Sequence, residues 1–222
     1  MKKVSLITAA IFFLAATMAS AQIGHNNGSL GFGINGGLYI PAGGDVTADS
    51  SFGDYFGAGP GFGAHIQYNV IKELTIRAGF DYAFMKMDDE AKGTLTGDPY
   101  FSSPYIFFDG AYNLGNYINS GNGILNPYVL AGGEIHFWKI TDDGAGGDPL
   151  PIGSEEWKNT SFGLRFGAGV EVFAMPQLSI FAEGKYHLMF TEDTEKFGED
   201  FGNLGMIDIT AGLTYYFPIG AK

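Results

Sequence analysis

The chain has no cysteine, few basic residues and no long apolar segment after its first 21 residues. Without cysteine, neither disulfide bonds nor thiol chemistry are available. Only 12 lysines and arginines stand against 24 acidic residues, so the chain lacks the basic face that nucleic acids require. No later apolar segment reaches the length of about 20 residues that a transmembrane helix needs. A disulfide-rich domain, a nucleic-acid-binding protein and a helical membrane protein are therefore excluded.

The first 21 residues are typical of a secretory signal peptide. Two lysines precede an apolar stretch over residues 4–18, and an Ala-Ser-Ala cleavage pattern ends at Ala21. The stretch is too short to cross a hydrocarbon core of about 30 Å as a helix. We predict a signal peptide over 1–21 and one exported domain over 22–222.

Glycine and aromatic residues are abundant: 35 glycines, 20 phenylalanines and 12 tyrosines accompany only 16% charged residues. Mean hydropathy is nevertheless close to zero, so apolar residues must be interleaved with polar ones. Such interleaving is typical of strands with one apolar and one polar face, as in membrane β-barrels.

Apolar and polar residues alternate with a period of two in eight segments, which indicates amphipathic strands. The third segment places Ile76 and Phe80 on its apolar face and Arg77 and Asp81 on its polar face. The fourth is the least regular and fits only if Asp109 faces inward. The predicted strands are 30–40, 58–70, 74–84, 105–114, 127–140, 161–172, 178–188 and 207–217.

The connections between these strands alternate in length, which is typical of a transmembrane barrel. The long ones are 41–57, 88–104, 141–160 and 191–206, and the others are 71–73, 174–177 and a longer segment around 115–125. We therefore predict an all-β fold, an eight-stranded antiparallel up-and-down transmembrane β-barrel. A soluble β-sandwich is the alternative, and its outward face would be polar.

The long connections carry 17 of the 24 acidic residues and are predicted to form a solvated outer surface. Most other charges fall on inward strand positions, because a charge facing lipid near the midplane costs about 2–4 kcal/mol. We predict a network of paired charges that fills the narrow lumen, and a cation-preferring pathway is the alternative. This lumen charge network comprises Arg77, Asp81, Glu134, His136, Arg165, Glu171, Glu183, Lys185, His187 and Asp208.

Other motifs do not predict chemistry. Residues 31–36 fit G-x-G-x-x-G but lie inside a strand, so no dinucleotide or other cofactor is expected. The acidic loop 142–148 lacks the spacing of a calcium-binding EF-hand, so no metal site is predicted, although divalent cations at the loops are a further hypothesis. His65, His136 and His187 are candidate general bases, but no local serine motif accompanies them. No catalytic residue is predicted.

Two structural roles are expected from small and aromatic residues. The glycines at 57, 59, 61 and 63 clear one face of the second strand for bulky neighbours or sharp curvature. Aromatic residues near strand ends are candidates for interfacial girdles, with core packing as the competing interpretation. They are Tyr39, Tyr100, Trp138, Trp157, Tyr215 and Phe217.

The end of the chain resembles the assembly signal of bacterial outer-membrane barrels. The matching residues are Thr210, Gly212, Tyr215 and Phe217, and five residues follow the phenylalanine. The signal peptide, the eight amphipathic strands and this ending together resemble the small OmpA/OmpX-type, porin-like barrels of Gram-negative bacteria.

This resemblance implies an integral protein of the outer membrane with periplasmic termini. Its implied partners are outer-membrane lipids, lipopolysaccharide and the barrel assembly machinery. We expect a monomeric, non-enzymatic barrel with a structural or surface-interaction role through its acidic extracellular loops. A porin-like or OmpW-like channel for ions or small solutes is the alternative function, followed by a lipid-modifying enzyme.

Overall fold

Eight long antiparallel strands close into a barrel in the computed structural model, which describes residues 28–118, 124–152, 155–198 and 201–217. Each strand pairs with its neighbours in sequence, and the last strand pairs with the first. The strands are β1 (Leu30–Gly43), β2 (Gly59–Asn69), β3 (Leu74–Lys86), β4 (Tyr100–Asn113), β5 (Leu125–Ile140), β6 (Lys158–Met175), β7 (Leu178–Met189) and β8 (Leu204–Phe217). The predicted fold is confirmed. The predicted signal peptide, 1–21, lies outside the described residues.

The two ends of the barrel differ. The connections 44–58, 87–99, 141–157 and 190–203 lie at one end, which we call the loop end. The connections 70–73, 114–124 and 176–177 lie at the other, which we call the turn end. Leu30 and Phe217 are paired with each other at the turn end. The alternation of long and short connections is therefore confirmed.

Short elements occupy several connections. The helices are α1 (Phe52–Tyr55), α2 (Gly115–Ile118) and α3 (Thr194–Phe197). Two small hairpins pair Asp45–Thr47 with Ser50–Ser51 and Pro151–Ile152 with Glu155–Glu156. Helix α2 lies in the longer connection after β4. Among the described residues, every helix is too short to qualify as an apolar membrane span.

The two faces of the strands separate as the alternation predicts. On β4, the side chain of Phe108 is 62% exposed on the outside, whereas its neighbour Asp109 is 1% exposed inside the lumen. Phe62 on β2 and Phe166 on β6 are exposed in the same way. The apolar face therefore forms the outer surface and the polar face lines the interior, which is the reverse of a soluble sandwich.

Strand β4 begins at Tyr100, so the prediction that it begins at residue 105 is wrong. The difference centres on Pro104, which has no backbone N–H to donate. Pairing of β4 with β5 skips Ser103 and Pro104, whereas pairing with β3 continues through both residues. The proline thus interrupts one side of the strand without ending it.

Glycines on the inward face leave room for large side chains that cross the lumen. A Cβ atom at Gly63 would lie 1.7 Å from Asp81 Oδ1, and one at Gly61 would lie 2.2 Å from the Tyr39 ring. Neither distance is sterically allowed. These alternate glycines of β2 therefore clear one face for bulky neighbours, as predicted.

Candidate functional site

The lumen contains all ten residues of the predicted lumen charge network. Each has an exposed fraction of 5% or less. Asp109 lies among them at 1% exposure, although it is not one of the ten predicted residues. The alternation along β4 places Asp109 on the inward face and could have predicted it, but the alternation is irregular in that strand and the indication was weak.

Arg77 on β3 connects opposite walls of the barrel. Its Nε and Nη2 atoms donate to the two carboxylate oxygens of Asp109 on β4, at 2.7 and 3.0 Å. Its Nη1 atom donates to Glu183 on β7. Strands β3 and β7 are four strands apart in either direction around the barrel. This ion pair therefore spans the full width of the lumen.

Lys185 extends the charge network along β7 towards the loop end. Its Nζ lies 2.7 Å from Glu183 Oε2 and 3.2 Å from Asp208 Oδ2, and it donates to Thr210 Oγ1 at 2.9 Å. Glu183 also accepts a 2.6 Å hydrogen bond from the Tyr128 hydroxyl. The ammonium group is thus shared by two carboxylates.

Arg165 on β6 is shared in the same way. Its guanidinium lies 3.3 Å from Asp109 and 3.7 Å from Asp81, and it stacks over the Phe107 ring at 3.9 Å from the centroid. Asp81 also accepts a hydrogen bond from Asn35 Nδ2 at 3.0 Å. Each permanent cation of the network therefore contacts two carboxylates.

Glu134, His136 and His187 form a compact cluster nearer the loop end. Glu134 Oε2 lies 2.9 Å from His187 Nδ1, and Glu134 Oε1 lies 2.9 Å from His136 Nε2. The other nitrogen of each ring is also in contact: His187 Nε2 with Asp208 Oδ2 at 3.1 Å, and His136 Nδ1 with Ser103 Oγ at 2.9 Å. Both imidazole rings are therefore fixed from two sides.

The cluster joins β5 to β7 across the intervening β6. This is sterically allowed because β6 carries Gly163 at that height, where a Cβ atom would lie 2.9 Å from Glu134 Cγ. The contact between Ser103 and His136 has the geometry of a hydrogen-bonded serine and base. Both side chains are fully buried, however, so a substrate does not reach them in this structure.

Polar side chains fill the turn end of the lumen. Thr75 donates to Asn69 at 2.8 Å, Asn113 donates to Thr75 at 3.1 Å, and Asn126 donates to Asn113 at 3.0 Å. A cavity of about 10 Å³ lies between this layer and Arg77. That volume accommodates about one water molecule.

The loop end of the lumen is closed by an apolar cluster, which we call the aromatic cap. It comprises Tyr39, Phe52, Phe56, Ala83, Met85, Met87, Phe101, Tyr105, Phe107, Trp138, Ile140, Met189, Phe201, Leu204 and Met206. Helix α1 contributes Phe52, whose ring lies 4.9 Å from that of Phe101. Asp54 anchors the start of α1 by accepting hydrogen bonds from the backbone and hydroxyl of Ser51 at 2.8 Å.

The aromatic cap corrects two sequence expectations. The long loops are more than solvated acidic segments, because Phe52, Phe56 and Phe201 pack into the barrel mouth. Tyr39 and Trp138 are 0% and 1% exposed inside the lumen, so for these two residues core packing, the competing interpretation, is correct and the interfacial girdle is not. Both lie at inward positions of their strands. The inward or outward direction of a strand position therefore determines where these side chains lie, rather than their closeness to a strand end.

The comparisons with known proteins agree with this architecture. Residues 7–217 match the family model described as the outer membrane protein beta-barrel domain. The chain belongs to this outer-membrane β-barrel family. No curated protein sequence matches the chain.

Solved structures of outer-membrane barrels have the same fold. Neisserial surface protein A is 16% identical with a TM-score of 0.56, over 85% of this chain and 97% of that one. The attachment invasion locus protein of Yersinia pestis, Ail, is 14% identical with a TM-score of 0.51, over 86% and 100%. A major outer membrane protein from Thermus thermophilus is 15% identical with a TM-score of 0.51, over 85% and 99%. At such low identity the likeness shows the fold alone.

The predicted assembly signal of this outer-membrane barrel lies on β8. Thr210 and Gly212 face the lumen, where a Cβ atom at Gly212 would lie 2.5 Å from the Phe181 ring. Tyr215 and Phe217 face outward and are 47% and 45% exposed. The four residues therefore present two distinct faces, and their role in assembly stays a prediction.

The acidic loops of the barrel carry local ion pairs. Lys92 and Lys86 both contact Asp98 Oδ1, at 2.8 and 2.9 Å. The hydrogen bonds from Lys92 and then Lys86 lower the pKa of Asp98 to about 2. Hydrogen bonds to Asp89 and then Asp98 raise the pKa of Lys92 to about 12. Loop 87–99 is thus organised by charge as well as by packing.

Proposed function

We propose that this outer-membrane barrel is a sealed, non-enzymatic protein whose acidic loops bind cationic partners at the cell surface. The observation that carries the proposal is a lumen closed by ion pairs and by the aromatic cap, with 17 acidic residues in the loops around it. In this arrangement the loop end faces the exterior and the turn end, with Leu30 and Phe217, faces the periplasm.

Contacts across the lumen support a barrel without a pore. Arg77 and Glu183 connect β3 to β7, and the hydroxyls of Tyr39 and Tyr105 meet at 3.2 Å between β1 and β4. The rest of the aromatic cap lies above them, and below them the 10 Å³ cavity is too small for a hydrated ion. Solute passage would require several buried contacts to break together.

The charge of the loops supports a cationic rather than an anionic partner. Within the four connections at the loop end, the basic residues are only Lys92 and Lys196. Ail has been crystallised with the heparin analogue sucrose octasulfate, which is a polyanion. The loops of the present barrel would repel such a ligand. Polyamines, basic protein surfaces and divalent cations bridging to lipopolysaccharide phosphates fit the loops better.

Two further parts of the proposal concern the membrane. The barrel would be a monomer in the outer membrane. Its outward apolar side chains, such as Phe108, would contact the lipids. The residues Thr210, Gly212, Tyr215 and Phe217 would be read by the barrel assembly machinery during insertion.

Conductance in planar lipid bilayers tests the sealed lumen. We expect no stable conductance from the purified barrel. A stable conductance that changes on Arg77→Ala or Glu171→Gln would overturn the proposal and establish the channel alternative, because both side chains lie inside the lumen.

Binding to immobilised polylysine and to immobilised heparin tests the partner class. We expect binding to polylysine that weakens as salt is added, because exposed charges are screened over about 10 Å at 0.1 M salt. We expect no binding to heparin, because heparin and the loops are both negatively charged. The matched variant combines Asp49→Asn, Glu90→Gln, Asp148→Asn and Glu192→Gln, one exposed acid from each loop. It should bind polylysine more weakly than the wild type, because four of the 17 loop acids are neutralised. Equal binding by both proteins, or binding to heparin, would contradict the proposal.

Analysis of the lipid composition of cells tests whether the barrel is an enzyme that modifies lipids. Cells that express the barrel should have the same phospholipid and lipid A composition as cells that do not. A modified lipid that disappears with His136→Gln would establish an enzyme.

A further inference from the structure

The cluster of Glu134, His136 and His187 has the composition of a metal site. One carboxylate oxygen and two imidazole nitrogens lie within 4.8 Å of one another, and all three residues are buried. We propose that these three side chains bind a divalent transition-metal ion, and that Zn²⁺ is the ion that fits them best. Two imidazoles and one carboxylate are a ligand set that Zn²⁺ uses in proteins.

The distances from Glu134 to the two imidazole nitrogens are close to those that a bound ion requires. Zn²⁺ binds nitrogen and oxygen at about 2.0–2.2 Å, which in a tetrahedral site separates ligand atoms by roughly 3.3 Å. Glu134 Oε1 lies 2.9 Å from His136 Nε2 and 3.1 Å from His187 Nδ1, so each of these two distances must widen by a few tenths of an ångström. The two imidazole nitrogens, which lie within 4.8 Å of each other, must adopt the same spacing. The side chains already point to one centre.

Both histidines are held as metal ligands usually are. A metal-binding histidine normally contacts a carboxylate, carbonyl or similar acceptor through its other ring nitrogen. His187 Nε2 contacts Asp208 Oδ2 at 3.1 Å, and His136 Nδ1 contacts Ser103 Oγ at 2.9 Å. These contacts leave His187 Nδ1 and His136 Nε2 as the nitrogens directed at Glu134.

The buried nitrogen of His136 provides an independent observation. His136 is fully buried, and its Nε2 atom has no hydrogen bond within the part of the chain that the structure describes. The 2.9 Å contact with Glu134 lacks hydrogen-bond geometry. A buried polar atom without a hydrogen bond is costly, and coordination to a metal would satisfy it.

The charge balance of the lumen also favours a bound cation. Along the described strands, six buried carboxylates face three permanently charged bases. The carboxylates are Asp81, Asp109, Glu134, Glu171, Glu183 and Asp208, and the bases are Arg77, Arg165 and Lys185. Buried negative charges need compensation, and a divalent cation supplies two positive charges at one point.

The aromatic cap determines when the ion enters. Because the cluster lies beneath this cap, we expect loading while the barrel folds and slow exchange afterwards. The proposal does not depend on the proposed surface function, since a sealed barrel and a channel alike can hold a structural ion.

The experiment is refolding of the full chain from urea into detergent with Zn²⁺ or with EDTA, followed by gel filtration and metal analysis. We expect about one zinc per folded barrel and a higher unfolding temperature than for the EDTA sample, because an ion bound only to the folded state stabilises it. Replacement of zinc by Co²⁺ should give the intense visible absorption of a tetrahedral nitrogen and oxygen site.

Variants distinguish this site from binding at the loops. His136→Gln and His187→Gln should lose the zinc and the cobalt spectrum. His65→Gln is the matched control, because His65 is also a buried lumen histidine but lies outside the cluster. It should retain both signals.

Three outcomes would overturn the proposal: no zinc on the refolded wild-type barrel, equal zinc on wild type and His136→Gln, or an octahedral cobalt spectrum. If either variant fails to fold, the zinc content and cobalt spectrum of the wild-type protein decide the question alone.

Discussion

Arg77 illustrates how single side chains hold this barrel together. It bonds to its neighbour Asp109 and to Glu183 on the opposite wall, and all three are buried. Removing one partner of such a group leaves the others charged in a medium that solvates them poorly. The stabilising contributions of the ion pairs in the lumen charge network are therefore not independent of one another.

Arg77→Leu should lower the free energy of unfolding by about 3–5 kcal/mol, because it leaves two buried carboxylates with less compensation. Urea unfolding in lipid vesicles, followed by the gel mobility of unheated samples, measures the loss. Lys86→Leu is the control, since its partner Asp98 is half exposed, and it should have a much smaller effect. Equal losses for the two variants would show that the lumen network contributes little.

Asp98 gives a prediction for acidic pH. Its pKa in the folded protein is lowered to about 2 by hydrogen bonds from Lys92 and Lys86, whereas an aspartate in an unfolded chain has a pKa of about 3.9. The stabilisation is therefore complete above about pH 4 and is lost as the pH falls towards 2.

An NMR titration of the Asp98 carboxyl should show this low pKa, and Lys92→Ala should raise it towards the ordinary value. If the pKa of Asp98 is the same in both proteins, the contact with Lys92 does not persist in solution.

The strands are elements whose packing depends on missing side chains as much as on present ones. At Gly63, the space of a Cβ atom is taken by the carboxylate of Asp81 and by the backbone oxygen of Phe80 at 2.5 Å. At Gly36 on β1, a Cβ atom would have its nearest neighbour 3.6 Å away, which is an ordinary van der Waals contact. Of these two positions, only Gly63 therefore requires glycine for steric reasons.

Gly63→Ala should destabilise the barrel by about 1–3 kcal/mol or prevent it from folding, because overpacking displaces Asp81 and the neighbouring strand. Gly36→Ala should be tolerated. Heat-modifiable gel mobility of the two refolded variants makes the comparison, and similar stability of both would contradict the steric explanation.

The alternation of apolar and polar residues is sufficient to predict all eight strands and the direction of their faces, because that pattern is local. The start of β4 was not predictable in this way, since Pro104 lies inside the strand, where pairing with β5 is interrupted while pairing with β3 continues. The partners of the inward charges depend on how far each strand is shifted around the barrel, which a single sequence does not contain. The same holds for Phe52 and Phe201, which reach the lumen from loops.

At the scale of the whole molecule, the outer surface determines where the protein can exist. Phe108 lies near the middle of β4 and is 62% exposed on the apolar belt. In the outer membrane this side chain faces lipid, whereas on a soluble protein it would face water.

Phe108→Arg should therefore cost about 2–4 kcal/mol when the barrel folds into vesicles. Leu95→Arg, at a residue 43% exposed in loop 87–99, should cost little because that loop stays in water. Unfolding titrations in vesicles measure both, and a harmless Phe108→Arg would show that this face does not meet hydrocarbon.

The pairing of β8 with β1 joins the two ends of the described chain, from Leu30 opposite Phe217 to the loop end. The other seven pairings join consecutive strands and can form by local search. Until β1 and β8 meet, both edges carry unpaired backbone groups, and each such group costs several kcal/mol in hydrocarbon. A half-closed sheet is therefore unstable in the bilayer, and insertion and closure must occur as one cooperative event.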